Sequence, residues 1–178
     1  MDSGQKLNLH QIPISINQSD FYLKTLIELN SVLENFVGES ESAAFMNHVA
    51  QHLSDLFLNM YQTGTEKTQF TPHQLAEVLV DLKRRIGGSF SIIEVTNKHI
   101  VLGNTMCPFG NAVLGRPSMC QMTATVFGKI VADSNGYAGI KIDKSIANGD
   151  GHCHVKILLE PDYNDTEVLR EYFHDVQQ

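Results

Sequence analysis

An α+β fold, with N-terminal helices packed against a small antiparallel sheet of about four strands and one intervening helix, is predicted by three observations. Up to Gly88, apolar residues recur three and four apart, the spacing of a helix face. After Gly88 the spacing falls to two. The two-residue pattern then comes as two pairs of runs, separated by one helical stretch that opens near Ser118.

Residues 1–18 are mostly polar and read as an N-terminal arm. Ile12, Ile14 and Ile16 alternate with Pro13 and Ser15, which allows at most an edge strand, because proline cannot donate to a sheet ladder. A helix begins at Ser19 and ends at Gly38. Its Tyr22, Leu26, Leu29, Leu33 and Phe36 are spaced four, three, four, three, as in a coiled-coil seam or a core-facing stripe. A second helix spans residues 41–61, with Phe45, Val49, Leu53, Leu56, Leu58 and Met60 as its apolar side and Thr63-Gly64-Thr65 as its breaker. Thr71-Pro72-His73-Gln74 is a helix start, with Thr as cap, Pro at the first position and Gln at the third. That helix continues through Leu75, Val78, Leu79 and Leu82 to Gly87-Gly88.

Residues 90–96 and 99–102 read as strands joined into a hairpin by Asn97-Lys98. A loop of about fifteen residues follows, a length that is usually functional. Ser118-Met119-Cys120-Gln121 reads as a further capping box, opening a helix that ends at Asn135-Gly136. Strands over 137–142 and 153–159 come next, and a final short helix is expected over 165–175. Residues 19–178 thus read as one domain: a helical part over 19–62, suited to dimerisation, and an α+β part over 63–178.

The 178 residues, 42% hydrophobic, suffice for one core. A net charge of -7 argues against direct nucleic-acid binding, which needs clustered cations. Lys83-Arg84-Arg85 is the dense basic cluster, and it suits a helix C-terminus. No apolar run approaches the ~18 residues of a membrane span. The start, Met1-Asp2-Ser3-Gly4-Gln5-Lys6, lacks the basic-then-apolar order of a signal peptide, so a cytoplasmic location is expected. Three cysteines in a reducing compartment point to metal binding, redox chemistry or inert burial.

Those cysteines, Cys107, Cys120 and Cys153, carry most of the functional information. Cys107 lies in a loop before Pro108-Phe109-Gly110, and Cys153 follows the turn Gly149-Asp150-Gly151-His152 at a strand entry. Cys120 lies two residues after the expected cap Ser118, where free backbone N–H groups and the helix dipole would favour its thiolate. Two loop ends and a helix start can converge on one point. The spacing has no Cys-x-x-Cys, so it is not a zinc-ribbon pattern. A fourth ligand is open: Asp150 has the most freedom, His152 and His154 point away from Cys153 in a regular strand, and His99 sits on a neighbouring strand. His48 and His52, four apart on one helix, have ligand spacing but read as exposed residues of an amphipathic face.

Several stretches together resemble the methanogen output domain: residues 79–88, Ile100-Val101-Leu102-Gly103-Asn104, Cys107-Pro108-Phe109-Gly110, Gly115-Arg116-Pro117-Ser118, Val126-Phe127-Gly128, Gly136-Tyr137-Ala138 and Gly149-Asp150. The helices from residue 19 onward resemble that family's N-terminal part. The cysteine-bearing region is also similar to the sensor half of Suf-operon repressors, which bind an iron–sulfur cluster, and to 4-vinyl-reductase-type sensor domains with cysteine-bound metal. The shared features are Cys107-Pro108-Phe109, Cys120 after Pro117, and Gly149-Asp150 before Cys153. The resemblance implies Cys107, Cys120 and Cys153 as the cluster ligands. The helix-turn-helix of those repressors is not found here, nor is a kinase or receiver domain, so a sensor of this kind would signal through a separate downstream protein.

The expected function is therefore a cytoplasmic regulatory sensor, not an enzyme. It holds an iron–sulfur cluster, or zinc, on Cys107, Cys120 and Cys153, with Asp150 the candidate fourth ligand and solvent or a small molecule the alternative. It responds to redox state, oxygen, nitric oxide or metal supply, and works as a homodimer through its N-terminal helices. Two alternatives compete. One is a haem or small-ligand sensor with Met106, Met119, Met122, Phe109 and Phe127 lining an apolar cavity. The other is a thiol-dependent enzyme built on Cys120.

Overall fold

The computed structural model describes residues 12–162 and 170–174. Among them, four α-helices precede and interrupt a five-stranded sheet: α1 (Gln18–Val37), α2 (Glu39–Thr65), α3 (Pro72–Arg85), β1 (Phe90–Val95), β2 (His99–Asn104), α4 (Ser118–Asn135), β3 (Tyr137–Lys144), β4 (Cys153–Leu158) and β5 (Arg170–Phe173). The sheet order is β1-β2-β4-β3-β5, with every neighbouring pair antiparallel. The α+β architecture follows from the switch of period at Gly88.

Helix boundaries follow local chemistry. The Asn17 side chain accepts from the Asp20 N–H at 2.9 Å and starts α1. Gly38, at φ +89°, is the single residue between α1 and α2, a backbone state that costs a side-chain-bearing residue dearly. Thr71 and Gln74 form the expected reciprocal cap of α3. Gly136 closes α4 in the left-handed region, its N–H reaching the Ala132 carbonyl at 2.7 Å.

Several expectations are corrected. Gly64 does not break α2, which runs on to Thr65 and ends at Glu66 in the left-handed conformation; one glycine in a long helix costs only about 1 kcal/mol. The buried face of α2 is Ala50, Ser54 and Leu58, whereas Phe45, Val49, Leu56 and Met60 are exposed. Small residues win the inner face because α2 approaches α4 closely. Ile12, Ile14 and Ile16 are exposed and form no strand, and the rest of the arm, residues 1–11, lies outside the described residues. Where a last helix was expected over 165–175, Arg170–Phe173 is a strand on the β3 edge, while 163–169 and 175–178 lie outside the described residues. The alternation of Arg170 and Tyr172 (half-buried) with Glu171 and Phe173 (exposed) suits a strand whose one face meets α4.

The main core lies between one face of the sheet and α2, α3 and α4. It includes Leu75, Leu79, Ile100, Leu102, Phe127, Ile130, Ile140, Val155 and Ile157, all essentially inaccessible. Every residue of α4 from Ala124 to Ala132 is buried, the polar Thr125 and Lys129 included, as expected for a helix sandwiched between layers. A second, smaller core joins Leu23 and Ile27 of α1 to Val113, Met119 and Ala147, with Cys107, Phe109 and Cys120 at its margin. That second core places α1 over the cysteine loop. No helix among the described residues is long and apolar enough to cross a membrane.

Candidate functional site

The three cysteines are free and half-buried, and they line one cavity of about 30 Å³, room for a water-sized group. Each arrives from a different element. Cys107 sits on the loop after β2, Cys120 in the first turn of α4, and Cys153 at the start of β4, directly across the ladder from Asn104. Apolar walls come from Phe90, Phe109, Val113, Met119, Ile142 and Val155. The register of β3 against β4 shifts between Ile142 and Lys144, a bulge beside the cavity that turns the following segment toward Cys120.

Each sulfur has its own hydrogen-bond donor. The Phe109 backbone N–H serves Cys107, and the Ser145 hydroxyl serves Cys120. The Asn104 side-chain amide stands 3.8 Å from Cys153 Sγ. Asn104 and Ser145 are themselves buried and fixed. Asn104 Oδ1 accepts from the Ser89 N–H at 3.1 Å and the Met106 N–H at 3.3 Å, which holds the approach to Cys107. Ser145 Oγ accepts from the Asn148 N–H at 3.2 Å, and the Ser145 N–H donates to Asp150 Oδ2 at 2.8 Å. The loop to Cys107 is also pinned from below. A Cβ on Gly88 would lie 3.1 Å from Pro108 Cγ, so Pro108 rests directly on the end of the α3 turn.

Two expectations about Cys120 and one about Asp150 need correction. Ser118 is not a cap: Pro117 precedes the helix without a side-chain cap, and Ser118 Oγ instead donates to Glu34 Oε1 of α1 at 2.8 Å. Burial pushes the Cys120 thiol up to about 11 from its usual 9.0, with Cys153 adding to the rise and the Ser145 hydroxyl opposing it. Burial likewise raises Cys107. Desolvation outweighs the helix dipole at this position. Asp150 is engaged in the turn, its Oδ2 accepting from the Ser145 N–H.

The histidines fall away from the site. His154 Nδ1 lies 2.8 Å from Asp143 on the outer sheet face, His152 is exposed, and His99 sits at the far end of β2 beside Glu94 and Thr96. His48 and His52 face each other on exposed α2, their Nε2 atoms 3.3 Å apart. Of the residues expected to line an apolar ligand cavity, Met119 and Phe109 do so, Met106 is exposed, and Phe127 and Met122 belong to the main core.

Sequence reasoning missed Asn104, Thr123, Ser145 and Lys83. The place of Lys83 in Lys83-Arg84-Arg85 suggests one of three helix-terminal cations. Arg84 and Arg85 are exposed and pair with Asp81, as that reading requires, but the Lys83 side chain is buried near the three thiols. The missed signal was its position: Lys83 falls one turn after Leu79 on the buried stripe of α3.

The sequence matches the methanogen output domain 1 family over residues 25–158. The chain belongs to the methanogen output domain 1 family. The match takes in most of α1, every element through β4, and all of Lys83, Asn104, Cys107, Cys120, Ser145 and Cys153, while β5 falls beyond it. No curated protein matches the chain. Membership of an output-domain family gives this methanogen output domain the character of a signalling module.

The donor set of the domain fits a soft metal group. Thiols are the ligands of zinc and of iron–sulfur clusters, and hydrogen bonds to the sulfurs tune such groups. Among the described residues, no three His, Cys, Asp or Glu side chains are grouped to hold a metal ion as they stand. The three cysteines that line the cavity are the residues that would hold such a group. A haem far exceeds the cavity.

Proposed function

We propose that this output domain is a sensor whose Cys107, Cys120 and Cys153 hold an iron–sulfur cluster, or else a metal ion, and whose loading state is passed to a partner protein. The observation that carries the reading is the convergence of three thiols from three elements on one apolar cavity, each sulfur with its own donor. When bound, such a group supplies sensitivity to oxygen, redox state, nitric oxide or metal supply. The three cysteines hold it. Asn104, Ser145 and the Phe109 N–H orient the sulfurs and temper their charge, and Phe90, Phe109, Met119 and Val155 exclude water. With Asp150 held in its turn, the fourth position falls to solvent or a small ligand.

Transmission runs through α1. Leu23 and Ile27 pack on the small core that includes Cys107 and Cys120, and Glu34 links α1 to the start of α4 through Ser118. Glu34 Oε1 also accepts from Asn30 Nδ2 at 2.9 Å, and buried Asn30 lies 3.4 Å from Ser42 Oγ of α2. Emptying the site loosens the Cys107 loop and shifts this packing between two arrangements. The outer face of α1, with Tyr22, Leu26, Leu29 and an 85% exposed Phe36, is the surface through which a second copy or a downstream protein reads the shift. A catalytic role for Cys120 is disfavoured, because burial raises its thiol and, among the described residues, no histidine lines the pockets it borders.

The test is anaerobic purification followed by absorbance spectroscopy and analysis for iron, zinc and sulfide, on wild type and on Cys107→Ala, Cys120→Ala and Cys153→Ala. Iron with sulfide in the wild type, lost in each variant, supports the reading. Retention in all three variants, or a metal-free and colourless wild type, sinks it.

A further inference from the structure

Lys83 is 6% exposed, yet no carboxylate pairs with it among the described residues. Its Nζ donates to Thr123 Oγ1 at 2.9 Å and stands 5.1 Å from the centre of the Phe127 ring and 5.8 Å from that of Phe90. Thr123 and Phe90 are also walls of the thiol cavity, so the ammonium sits one layer behind it. The charges that act on it are those available to Cys107, Cys120 and Cys153. One hydroxyl and two ring faces satisfy a buried ammonium poorly, because two of its three N–H groups have no acceptor and aromatic faces give only partial compensation. A buried cation without an anion is among the most costly arrangements in a protein.

We propose that Lys83 is the counter-charge of the three-thiol site, so that the site selects a group that leaves the thiolates with net negative charge. The inference rests on the reading that the thiols hold a metal group, and it names the class of that group. Three thiolates around a doubly positive core carry one net negative charge, which one ammonium balances. A neutral apolar ligand held beside protonated thiols leaves Lys83 uncompensated. The sequence order Lys83-Arg84-Arg85 makes the choice pointed: the two arginines stay outside on Asp81, and the compact point charge is the one sent inward. The burial that pushes Lys83 down from 10.5 to about 8 is opposed only by the three cysteines, which agrees with this placement.

The test compares wild type, Lys83→Met and Lys83→Arg as full chains, each stripped of metal and then reconstituted anaerobically with ferrous iron and sulfide or with zinc alone. Metal-free Lys83→Met is expected to be at least as stable as wild type, because an unpaired buried charge has been removed. It is expected to hold the reconstituted group at least on the order of tenfold more weakly, with Lys83→Arg recovering part of the loss. Opposite movement of stability and retention marks a charge role. Equal retention in wild type and Lys83→Met overturns the inference while leaving the three-thiol reading intact. A metal-free Lys83→Met that is destabilised in step with its lost retention also overturns it, since a packing role then suffices. Uptake of neither probe by wild type removes both readings together.

Discussion

Gly128→Ala tests the seating of β5, the element that replaced an expected helix. A Cβ at Gly128 would lie 2.1 Å from Tyr172 Cδ2, 2.3 Å from Cε2 and 2.6 Å from Cγ. Carbon atoms in contact prefer about 3.5 Å or more, so the ring must retreat by about 1 Å or more. It has little freedom to do so. Tyr172 is registered opposite Ala138 in the β3–β5 ladder, and its hydroxyl lies 3.2 Å from Thr125 Oγ1 on the same α4. Overpacking of this kind costs roughly 1–3 kcal/mol, and the near-coincidence of atoms argues for the upper end. Against it stands a gain of about 1 kcal/mol for alanine over glycine inside a helix. The net expectation is a loss of about 2 kcal/mol, read from urea denaturation followed by circular dichroism with an unchanged slope. The same substitution in a Tyr172→Ala background meets no ring and should turn stabilising by up to about 1 kcal/mol. The change of sign, a coupling of about 3 kcal/mol, is the decisive quantity. If Gly128→Ala costs the same in both backgrounds, the Tyr172 ring does not lie over α4, and the placement of β5 against α4 falls with it.

Three further outcomes are expected. Gly88→Ala forces Pro108 or the Lys83 carbonyl, 3.1 and 3.2 Å from the new Cβ, to give way; unfolding should show a loss of about 1 kcal/mol, and iron content a larger loss as Cys107 is displaced, so unaltered retention would refute the pinning of that loop. Asp81 is held at about 2, below its usual 3.8, first by its hydrogen bond from Arg85 and then by the Tyr61 hydroxyl. The folded state therefore sheds this proton more readily than the unfolded chain, so the contribution is full above about pH 4 and is lost as pH falls through about 2; the stability difference between wild type and Asp81→Asn should shrink over that window, and a difference independent of pH would contradict the network. Leu26→Asp with Leu29→Asp, both on the exposed side of α1, should convert a dimer to monomer in sedimentation with the circular dichroism unchanged, and an undisturbed dimer places the interface elsewhere.

What could be read from the sequence was local. The Thr71–Gln74 cap, the hairpin at Asn97-Lys98 and the stop at Gly136 are each fixed by a few adjacent residues, and each is present. The misreadings arose where a distant partner decides. Ser118 has the spacing of a cap, but Glu34, remote in sequence and adjacent in space, takes its hydroxyl. Phe45, Val49, Leu56 and Met60 give the stronger apolar signal in α2, yet Ala50 and Ser54 are the buried ones, because only small side chains permit the close approach to α4. Residues 170–173 alternate too briefly to reveal a strand until the β3 edge is there to pair with them.

The site divides along the same line. That three cysteines might meet was readable from their positions at two loop ends and a helix start; what surrounds them was not. A helix-start thiol was expected to be activated, but the dipole acts over the first turn whereas desolvation acts from every element that closes over the sulfur, and here α1, the Cys107 loop, β3 and β4 all do. The consequence reverses the chemical expectation. A thiol kept protonated by burial is a poor free nucleophile, but a metal replaces its proton and is repaid in a setting where charge interactions are weakly screened. The helical register that sends Lys83 inward while Arg84 and Arg85 stay outside belongs to the same logic, because on the proposed reading its charge is balanced when the sulfurs give up their protons. On the proposed reading, protonated thiols beside an uncompensated ammonium would be one end of an equilibrium, and a loaded, charge-balanced site the other. With α1 packed on the small core between them and the outer apolar face, a change in charge state at the thiols would have a direct mechanical route to the exposed apolar surface proposed for a partner.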